Sequence, residues 1–255
     1  MLSITHGVAL CWLGNIGWLI SDGTRLIAFD LDLDSNPRLK ETGQRLKLSP
    51  VSAKEIAPAL DVHFITHEHE DHFNSVTCGI LARMSACLFV VPADCEGKAL
   101  ELGVPKARIR VAQPGKPFDL PGLKVTPQHA IHGGRDFAIP APVNPHDCGY
   151  LFTFGGKTFL QPGDTVLLEN HLALRHVDVL FVSPTVHNMP IDRAAILVDR
   201  LAPAHIFPQH FGTYAQDPDN VFWTRGYPDE LKCILSPSLQ DRYHKLEQGE
   251  VFLIE

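Results

Sequence analysis

The sequence predicts an α/β fold built on mixed β-sheets, and three observations lead to it. Short runs rich in Val, Ile and Phe recur along the chain and are typical of strands. The first runs are close together and are joined by Gly14-Asn15 and Asp22-Gly23, which indicate β-hairpins and therefore antiparallel pairing. Later runs alternate with helical patterns, which favours parallel pairing. The combination predicts helices layered on mixed sheets rather than a purely parallel doubly wound sheet.

The individual elements follow from length, periodicity and flanking turn residues. The predicted strands are residues 8–13, 18–20, 26–29, 62–66, 87–91, 123–127, 150–154, 158–161, 177–182, 205–208 and 251–254. Helices are predicted at residues 73–83, 94–102 with Asp94 as the N-cap, 191–201 after Pro190, and in part of 231–246, where Pro237 breaks or restarts the helix. Residues 34–58 and 132–147 are predicted to be loops.

The chain is predicted to form a single domain over residues 1–255. Its length suits one large domain or two small ones, but no segment has the Ser, Gly and Pro bias of an interdomain linker. Residues 61–66 resemble residues 178–183, and each segment is a strand that leads into a polar loop and a helix. This short echo indicates two related halves within the fold.

The composition favours a soluble globular protein and disfavours nucleic acid as a partner. Hydrophobic residues make up 45% of the chain and charged residues 20%, which is ordinary for a globular protein. The net charge of -7 and the scattered Lys and Arg residues disfavour nucleic acid as a partner. No apolar stretch approaches the roughly 20 residues of a membrane-spanning helix. The six cysteines lie far apart and no secretion signal is evident, which predicts reduced thiols and a cytoplasmic location.

The greatest density of metal-binding side chains lies in residues 66–72, Thr-His-Glu-His-Glu-Asp-His. Imidazole and carboxylate groups are the usual nitrogen and oxygen ligands of zinc, iron and manganese. In an extended or turning backbone, His67 and His69 project to the same side and can bind one ion. Asp71 and His72, where the chain bends into a helix, can face a second ion. The segment therefore predicts half of a two-metal centre.

Four more metal-competent side chains come at or just after the ends of predicted strands. They are Asp30, His129, Asp164 and His210. In α/β folds, residues at strand ends meet at one edge, where binding sites are commonly found. The rest of the metal centre is therefore expected among these residues.

This pattern resembles the metallo-β-lactamase superfamily. The resemblance rests on His67-x-His69-x-Asp71-His72, followed in order by His129, Asp164 and His210. Three further motifs resemble its small cytosolic metal-dependent hydrolases, which include the ascorbate-6-phosphate lactonase group: Gly14-Asn15-Ile16-Gly17, Gly163-Asp164-Thr165 and Pro208-Gln209-His210-Phe211-Gly212. The fold implied is a four-layer αββα sandwich of two mixed sheets flanked by helices.

The resemblance also implies two divalent metal ions, with zinc, manganese and iron all compatible with the ligands. One ion would be held by His67, His69 and His129. The other would be held by Asp71, His72 and His210. Asp164 would bridge the two ions, and Asp30 would fix the cluster by hydrogen bonds. A hydroxide on such a centre would attack a small ester or lactone, with a lactone of a phosphorylated sugar as the first choice.

Residues outside the ligand set are candidates for catalysis and substrate binding. Asp71 could orient the hydroxide, and His132 and His187 could transfer a proton or contact the substrate. Weaker candidates for recognising a phosphate or carboxylate are Arg135, His146 and Asn188.

Two other functions remain open at this point. A phosphodiesterase or nuclease could use the same fold and ligands, and a scaffold could bind metal without turnover. The intact ligand pattern favours an enzyme over a scaffold, because a non-catalytic relative is free to lose ligands. The sequence leaves homo-oligomerisation open.

Overall fold

The computed structural model describes residues 6–34, 44–135 and 139–255 of the chain. Part of the predicted loop 34–58 and part of the predicted loop 132–147 lie outside the described residues. The chain divides into two compact units, the first formed by Met1–Gln113 with Leu246–Glu255 and the second by Pro114–Lys245. The single domain expected from the sequence stays a prediction, and each unit is described separately.

The secondary structure alternates between strands and helices along most of the chain. The strands are β1 (Val8–Gly14), β2 (Gly17–Ser21), β3 (Leu26–Phe29), β4 (Val62–Phe64), β5 (Leu88–Pro92), β6 (Ile109–Ala112), β7 (Phe118–Leu120), β8 (Leu123–His129), β9 (Cys148–Phe154), β10 (Lys157–Gln161), β11 (Val179–Val182), β12 (His205–Pro208) and β13 (Val251–Ile254). The helices are α1 (Ala53–Ile56), α2 (Ser75–Met84), α3 (Glu96–Glu101), α4 (Glu169–Ala173), α5 (Ile191–Leu201), α6 (Val221–Thr224), α7 (Pro228–Ile234) and α8 (Pro237–Gln240).

The first unit contains a mixed seven-stranded sheet in the order β13-β1-β2-β3-β4-β5-β6. Pairing is antiparallel from β13 to β3 and parallel from β3 to β6. Helices α1, α2 and α3 contribute buried side chains to the same apolar cluster as the strands, among them Ile56 and Leu81. Helix α2 begins where the Asn74 side chain accepts a hydrogen bond from the Thr77 N–H at 2.8 Å.

The second unit contains a mixed six-stranded sheet in the order β12-β11-β10-β9-β8-β7. Pairing is antiparallel from β7 to β10 and parallel from β10 to β12. Helix α5 packs its buried face, which includes Leu197 and Val198, into a cluster with β10, β11 and β12. The expectation of two mixed sheets flanked by helices is confirmed.

Most predicted elements lie where the sequence patterns indicate. The Gly14-Asn15 and Asp22-Gly23 turns join antiparallel strands, and Asn15 adopts a left-handed conformation with φ 49°. Helix α8 restarts at Pro237, as predicted. The prediction of Asp94 as the N-cap of α3 is wrong, because the helix begins at Glu96 with Cys95 as its cap residue. Sequence patterns also missed β6, β7 and the short helices α1, α4 and α6.

The internal echo corresponds to a repeated local structure. The Asp61 carboxylate accepts from the N–H of the first residue of β3 at 2.8 Å, and the Asp61 N–H donates to the C=O of that residue at 2.8 Å. In the second unit, the Asp178 carboxylate accepts from the Thr158 N–H of β10 at 2.7 Å, and the Asp178 N–H donates to the Thr158 C=O at 2.8 Å. Asp61, just before β4, therefore bonds that segment to β3, and Asp178, just before β11, does the same for β10.

Within the described parts of the chain, no helix combines the length and the hydropathy that a membrane span requires. All six cysteines are free thiols, and only Cys233 is exposed. The burial of the other five is typical of free cysteines, which pack as small hydrophobic residues.

Candidate metal-binding groups

The first unit brings together His67, His69, Asp71 and His72, which we call the first ligand group. The group follows β4 in a tight turn, in which the His72 N–H and the Phe73 N–H both donate to the His69 C=O, at 3.0 and 2.7 Å. His67 and His72 are buried, whereas His69 is exposed. His67 Nε2 lies 2.9 Å from His69 Nδ1, so these two rings present nitrogen atoms to a common point.

Asp30 supports the first ligand group through hydrogen bonds to Thr66 and His72. Its Oδ1 accepts from the Thr66 N–H at 2.8 Å, and its Oδ2 accepts from the Thr66 hydroxyl at 2.6 Å. The same Oδ2 lies 2.9 Å from His72 Nδ1. Burial raises the pKa of the Asp30 carboxyl, and the bonds from His72 and Thr66 oppose that rise. Asp30 has φ 41°, a strained backbone conformation of the kind that clusters at functional sites.

The Asp30 contact fixes the direction in which His72 can bind a cation. An ionised carboxylate only accepts, so His72 Nδ1 carries the ring proton and Nε2 bears a lone pair. That Nε2 lies 3.5 Å from Asp71 Oδ2, another acceptor. Two acceptors that face each other repel unless a proton or a cation lies with them, and a divalent metal ion satisfies both.

Asn15 positions the Asp71 carboxylate. Its Nδ2 donates to Asp71 Oδ2 at 3.0 Å, and the Trp12 indole N–H donates to the Asn15 C=O at 3.0 Å. The sequence predicts Gly14-Asn15 only as a hairpin turn and as part of a motif that resembles the family. The left-handed turn therefore has a second role, which is to direct an amide at a candidate metal ligand.

The second unit brings together His132, Asp164, His187 and His210, which we call the second ligand group. Asp164 Oδ2 lies 3.2 Å from Nε2 of His187, 3.2 Å from Nε2 of His210 and 3.6 Å from Nε2 of His132. The Asp164 side chain is almost completely buried. His132, Asp164 and His187 offer their ligand atoms within 4.8 Å of one another. His210 has φ 63°, so its backbone is also strained.

Two buried glutamine amides tie together the strands that carry Asp164 and His210. Gln161, at the end of β10, donates through Nε2 to Gln209 Oε1 at 2.9 Å, and Gln209 Nε2 donates back to Gln161 Oε1 at 2.7 Å. The Gly163 N–H also donates to Gln161 Oε1 at 3.3 Å. The reciprocal bonds fix the ends of β10 and β12, and therefore the separation of the residues that follow them.

The loop after β8 places His132, rather than His129, beside Asp164. The Ile131 N–H donates to Thr165 Oγ1 at 3.0 Å, which draws the loop to the residue after Asp164. His132 Nδ1 is 2.6 Å from the Gly133 C=O and donates to it, because a carbonyl oxygen only accepts. In the neutral ring, His132 Nε2 then bears a lone pair that faces the Asp164 carboxylate. The His129 side chain is exposed at the end of β8 and does not join this group.

Known proteins resemble this chain in sequence and in fold. Residues 33–211 match the family model described as the beta-lactamase superfamily domain. The chain belongs to the metallo-β-lactamase superfamily. Over 242 residues it is 26% identical to a metal-dependent hydrolase from Roseiflexus sp. (strain RS-1), an alignment that covers 91% of each protein.

Two solved structures resemble the metallo-β-lactamase superfamily fold of this chain. One is Igni18, a metallo hydrolase from the archaeon Ignicoccus hospitalis KIN4/I, with a TM-score of 0.72 at 23% identity over 97% of this chain and 98% of that one. The other is an isothiocyanate hydrolase from Delia radicum gut bacteria, with a TM-score of 0.74 at 16% identity over 96% of this chain and 99% of that one. At these identities the likeness establishes the fold alone.

Asn188 has a structural contact in this member of the superfamily. Its Oδ1 accepts from the Gly133 N–H at 2.8 Å, which fixes the amide so that Nδ2 lies 2.6 Å from His187 Nε2 and donates to it. His187 therefore carries its proton on Nδ1, a buried atom with no hydrogen-bond partner in the described residues. Burial lowers the pKa of His187, while the Asp164 carboxylate opposes that shift. Because Nε2 already accepts, His187 suits orientation and hydrogen-bond donation better than metal ligation through that atom.

The two remaining candidates lie at the surface. His146 is exposed, and its contact is a backbone one, from its N–H to Asn144 Oδ1 at 3.0 Å. Arg135 is exposed too, and its guanidinium stacks 4.8 Å from the centre of the Phe222 ring. Neither side chain belongs to the second ligand group. Phe222 is not predictable as a site residue from the sequence, because a lone aromatic in a short helix carries no recognisable pattern.

The donor set of both groups fits a zinc, manganese or iron ion. All members are imidazoles or carboxylates, and no thiolate is included. In each group a second residue fixes the proton on the Nδ1 atom of a histidine, as Asp30 does for His72 and the Gly133 C=O does for His132. This arrangement is the usual support of metal-bound imidazoles.

Proposed function

We propose that this chain is a metal-dependent hydrolase that cleaves a small-molecule ester or lactone. The observation that carries the proposal is the pairing of a histidine Nε2 lone pair with a carboxylate oxygen in each unit. His72 faces Asp71 in the first unit, and His132 faces Asp164 in the second. Each pair is repulsive unless a proton or a cation lies between the two atoms, and a divalent metal ion satisfies both. Membership of the superfamily and the name of the Roseiflexus relative, a metal-dependent hydrolase, support the same conclusion.

The proposed ligand assignment changes one residue of the sequence prediction. Following the resemblance, His67 and His69 would hold one ion, Asp71, His72 and His210 would hold the other, and Asp164 would hold both. We assign the third histidine of the first ion to His132 in place of His129, because His132 Nε2 lies 3.6 Å from Asp164 Oδ2, whereas the His129 side chain is exposed. Two divalent ions in such a centre supply a hydroxide at neutral pH and polarise the bond that breaks.

The protein side chains have separate tasks in this proposal. Asp30 and the Gly133 C=O hold the Nδ1 protons of His72 and His132 and so keep both rings in their ligating orientation. Asp71, directed by Asn15, orients the attacking oxygen. His187, held by the Asn188 amide, lies beside Asp164 and helps to position that carboxylate.

A small molecule is the proposed substrate, and the cytoplasm the proposed location. The negative net charge disfavours the phosphate backbone of a nucleic acid. The cysteines are all free, which fits a reducing compartment.

Removal of metal is expected to abolish hydrolysis. Protein purified without chelator is assayed with γ-butyrolactone, phenyl acetate and bis(4-nitrophenyl) phosphate, before and after treatment with a chelator. We expect turnover of the lactone or the ester, its loss in the apo-protein, and its recovery when zinc or manganese is restored. Equal activity of apo- and holo-protein would refute the metal mechanism. Turnover of the phosphodiester alone would show a phosphodiesterase instead of an esterase or lactonase. Metal binding without any turnover would show a non-catalytic scaffold.

A further inference from the structure

An aromatic side chain lies directly against the second ligand group. The Phe222 ring, in helix α6, meets the His187 ring edge-on, with 5.9 Å between the ring centres and an angle of 86°. Its neighbour Trp223 meets the His210 ring in the same way, at 6.4 Å and 86°. Phe222 and Trp223 are both partly exposed, although they contact histidines that are almost completely buried. Helix α6 thus presents apolar surface next to the candidate metal-binding atoms.

Arg135 extends this surface with a fixed positive charge. Its guanidinium lies 4.8 Å from the centre of the Phe222 ring, a cation–π distance. One of its terminal nitrogens donates to the Asp219 C=O, which holds the group in place. This bond uses one of the five N–H donors of the guanidinium. A guanidinium that is already oriented loses little entropy when it binds a carboxylate or phosphate.

These contacts make neighbours of a metal-binding group, an aromatic ring and a guanidinium. His187 lies beside Asp164, Phe222 lies beside His187, and Arg135 lies on Phe222. A molecule whose reacting group meets the ligand histidines would therefore run along an aromatic ring and end at a cation. A molecule that complements these side chains has a reactive carbonyl, an apolar spacer of about one ring, and a terminal anion.

We propose that Phe222 and Arg135 form a substrate subsite for esters or lactones that carry an anionic group beyond an aromatic or similarly apolar spacer. The proposal rests on the proposed function for the reacting end of the molecule. The anion can be a carboxylate or a phosphate, since a guanidinium pairs with both through two parallel hydrogen bonds.

A second arginine–aromatic stack in the same unit provides a control for ordinary surface packing. The Arg225 guanidinium lies 5.0 Å from the centre of the Tyr227 ring, which is nearly the same geometry. Arg225 is exposed, as Arg135 is, but it stacks on Tyr227 rather than on the ring that contacts His187. Arg225→Gln is therefore a matched control for Arg135→Gln.

The test measures binding without turnover. Isothermal titration calorimetry compares 4-acetamidobenzoate, which has a carbonyl, a benzene ring and a carboxylate in line, with the neutral 4-acetamidobenzamide, on metal-loaded protein. We expect the carboxylate to bind wild type about tenfold more tightly than the amide, the difference expected of one charge-assisted contact. Arg135→Gln is expected to abolish this preference, Arg225→Gln to retain it, and Phe222→Leu to weaken both ligands.

Equal or undetectable binding of the two ligands by wild type would overturn the subsite. A preference that survives Arg135→Gln, or one that Arg225→Gln reduces equally, would overturn it as well. Thermal melting of each variant checks that the fold is kept. Because no turnover is required, a protein that prefers the carboxylate but hydrolyses nothing keeps the subsite and refutes the hydrolase. A protein that hydrolyses esters or lactones but does not prefer the carboxylate refutes the subsite and keeps the hydrolase.

Discussion

Replacement of Asp164 by Asn is expected to lower kcat/KM for ester or lactone hydrolysis by more than about a hundredfold, the upper end of what the loss of a supporting residue costs. The amide keeps the size of the side chain but removes the charge at the oxygen around which three imidazole Nε2 atoms converge. Because Asp164 is nearly buried, no solvent ion can replace that charge. The measurement is steady-state kinetics together with metal content.

The fold of the Asp164→Asn protein is expected to survive. Removing a buried carboxylate costs the apo-protein little, because the charge is itself expensive to bury. The stabilisation that metal gives to the wild type should be lost, which thermal melting with and without metal will reveal. Asp178→Asn is the control, since an amide oxygen can still accept from the Thr158 N–H. Wild-type turnover in Asp164→Asn, or an equal loss in Asp178→Asn, would refute the site assignment.

Replacement of Gly133 by Ala is expected to destabilise the protein by about 3 kcal/mol, the upper end of overpacking costs. A Cβ at this position would lie 1.7 Å from the His187 C=O oxygen and 2.8 Å from its carbon. Backbone atoms cannot rotate away as a side chain can, so one of the two loops must move. That movement breaks the bond from the Gly133 N–H to Asn188 and displaces His132, so metal affinity should fall as well.

Urea unfolding and metal titration measure the two effects. Gly97→Ala is the matched control, because a Cβ there meets nothing within 4 Å and the residue lies inside α3. That change should be neutral or stabilising by up to about 1 kcal/mol, through the entropy of the unfolded chain and the better helix propensity of Ala. If Gly133→Ala and Gly97→Ala unfold at the same urea concentration, the close packing of the His132 and His187 loops is not as described.

Local patterns were sufficient for the features that depend on neighbours in sequence. The Gly14-Asn15 hairpin, helix α5 after Pro190 and the restart at Pro237 all follow from turn and cap chemistry. The clustering of His67, His69, Asp71 and His72 was visible because all four ligands lie in one short segment. Strands β6 and β7 were missed because they are short and partly exposed, so their apolar pattern is weak.

The choice between His129 and His132 depends on contacts that no local pattern contains. Both histidines follow the same predicted strand, and the strand-end position together with the resemblance favoured His129. The loop is set by bonds from Ile131 to Thr165 and from Val166 to Ile131, between segments more than thirty residues apart. Asn15 was likewise hidden, because its amide reaches Asp71 across a separation of 56 residues. Supporting contacts of this kind become visible only when the strands are paired.

The most direct test of the central claim is the metal content of the protein purified without chelator, measured by inductively coupled plasma mass spectrometry for wild type, His132→Ala and His129→Ala. We predict about two equivalents of zinc, manganese or iron per chain in wild type and in His129→Ala, and a clear loss in His132→Ala. Metal-free wild-type protein that is fully active would contradict the account. So would a His132→Ala protein that keeps all of its metal while His129→Ala loses it.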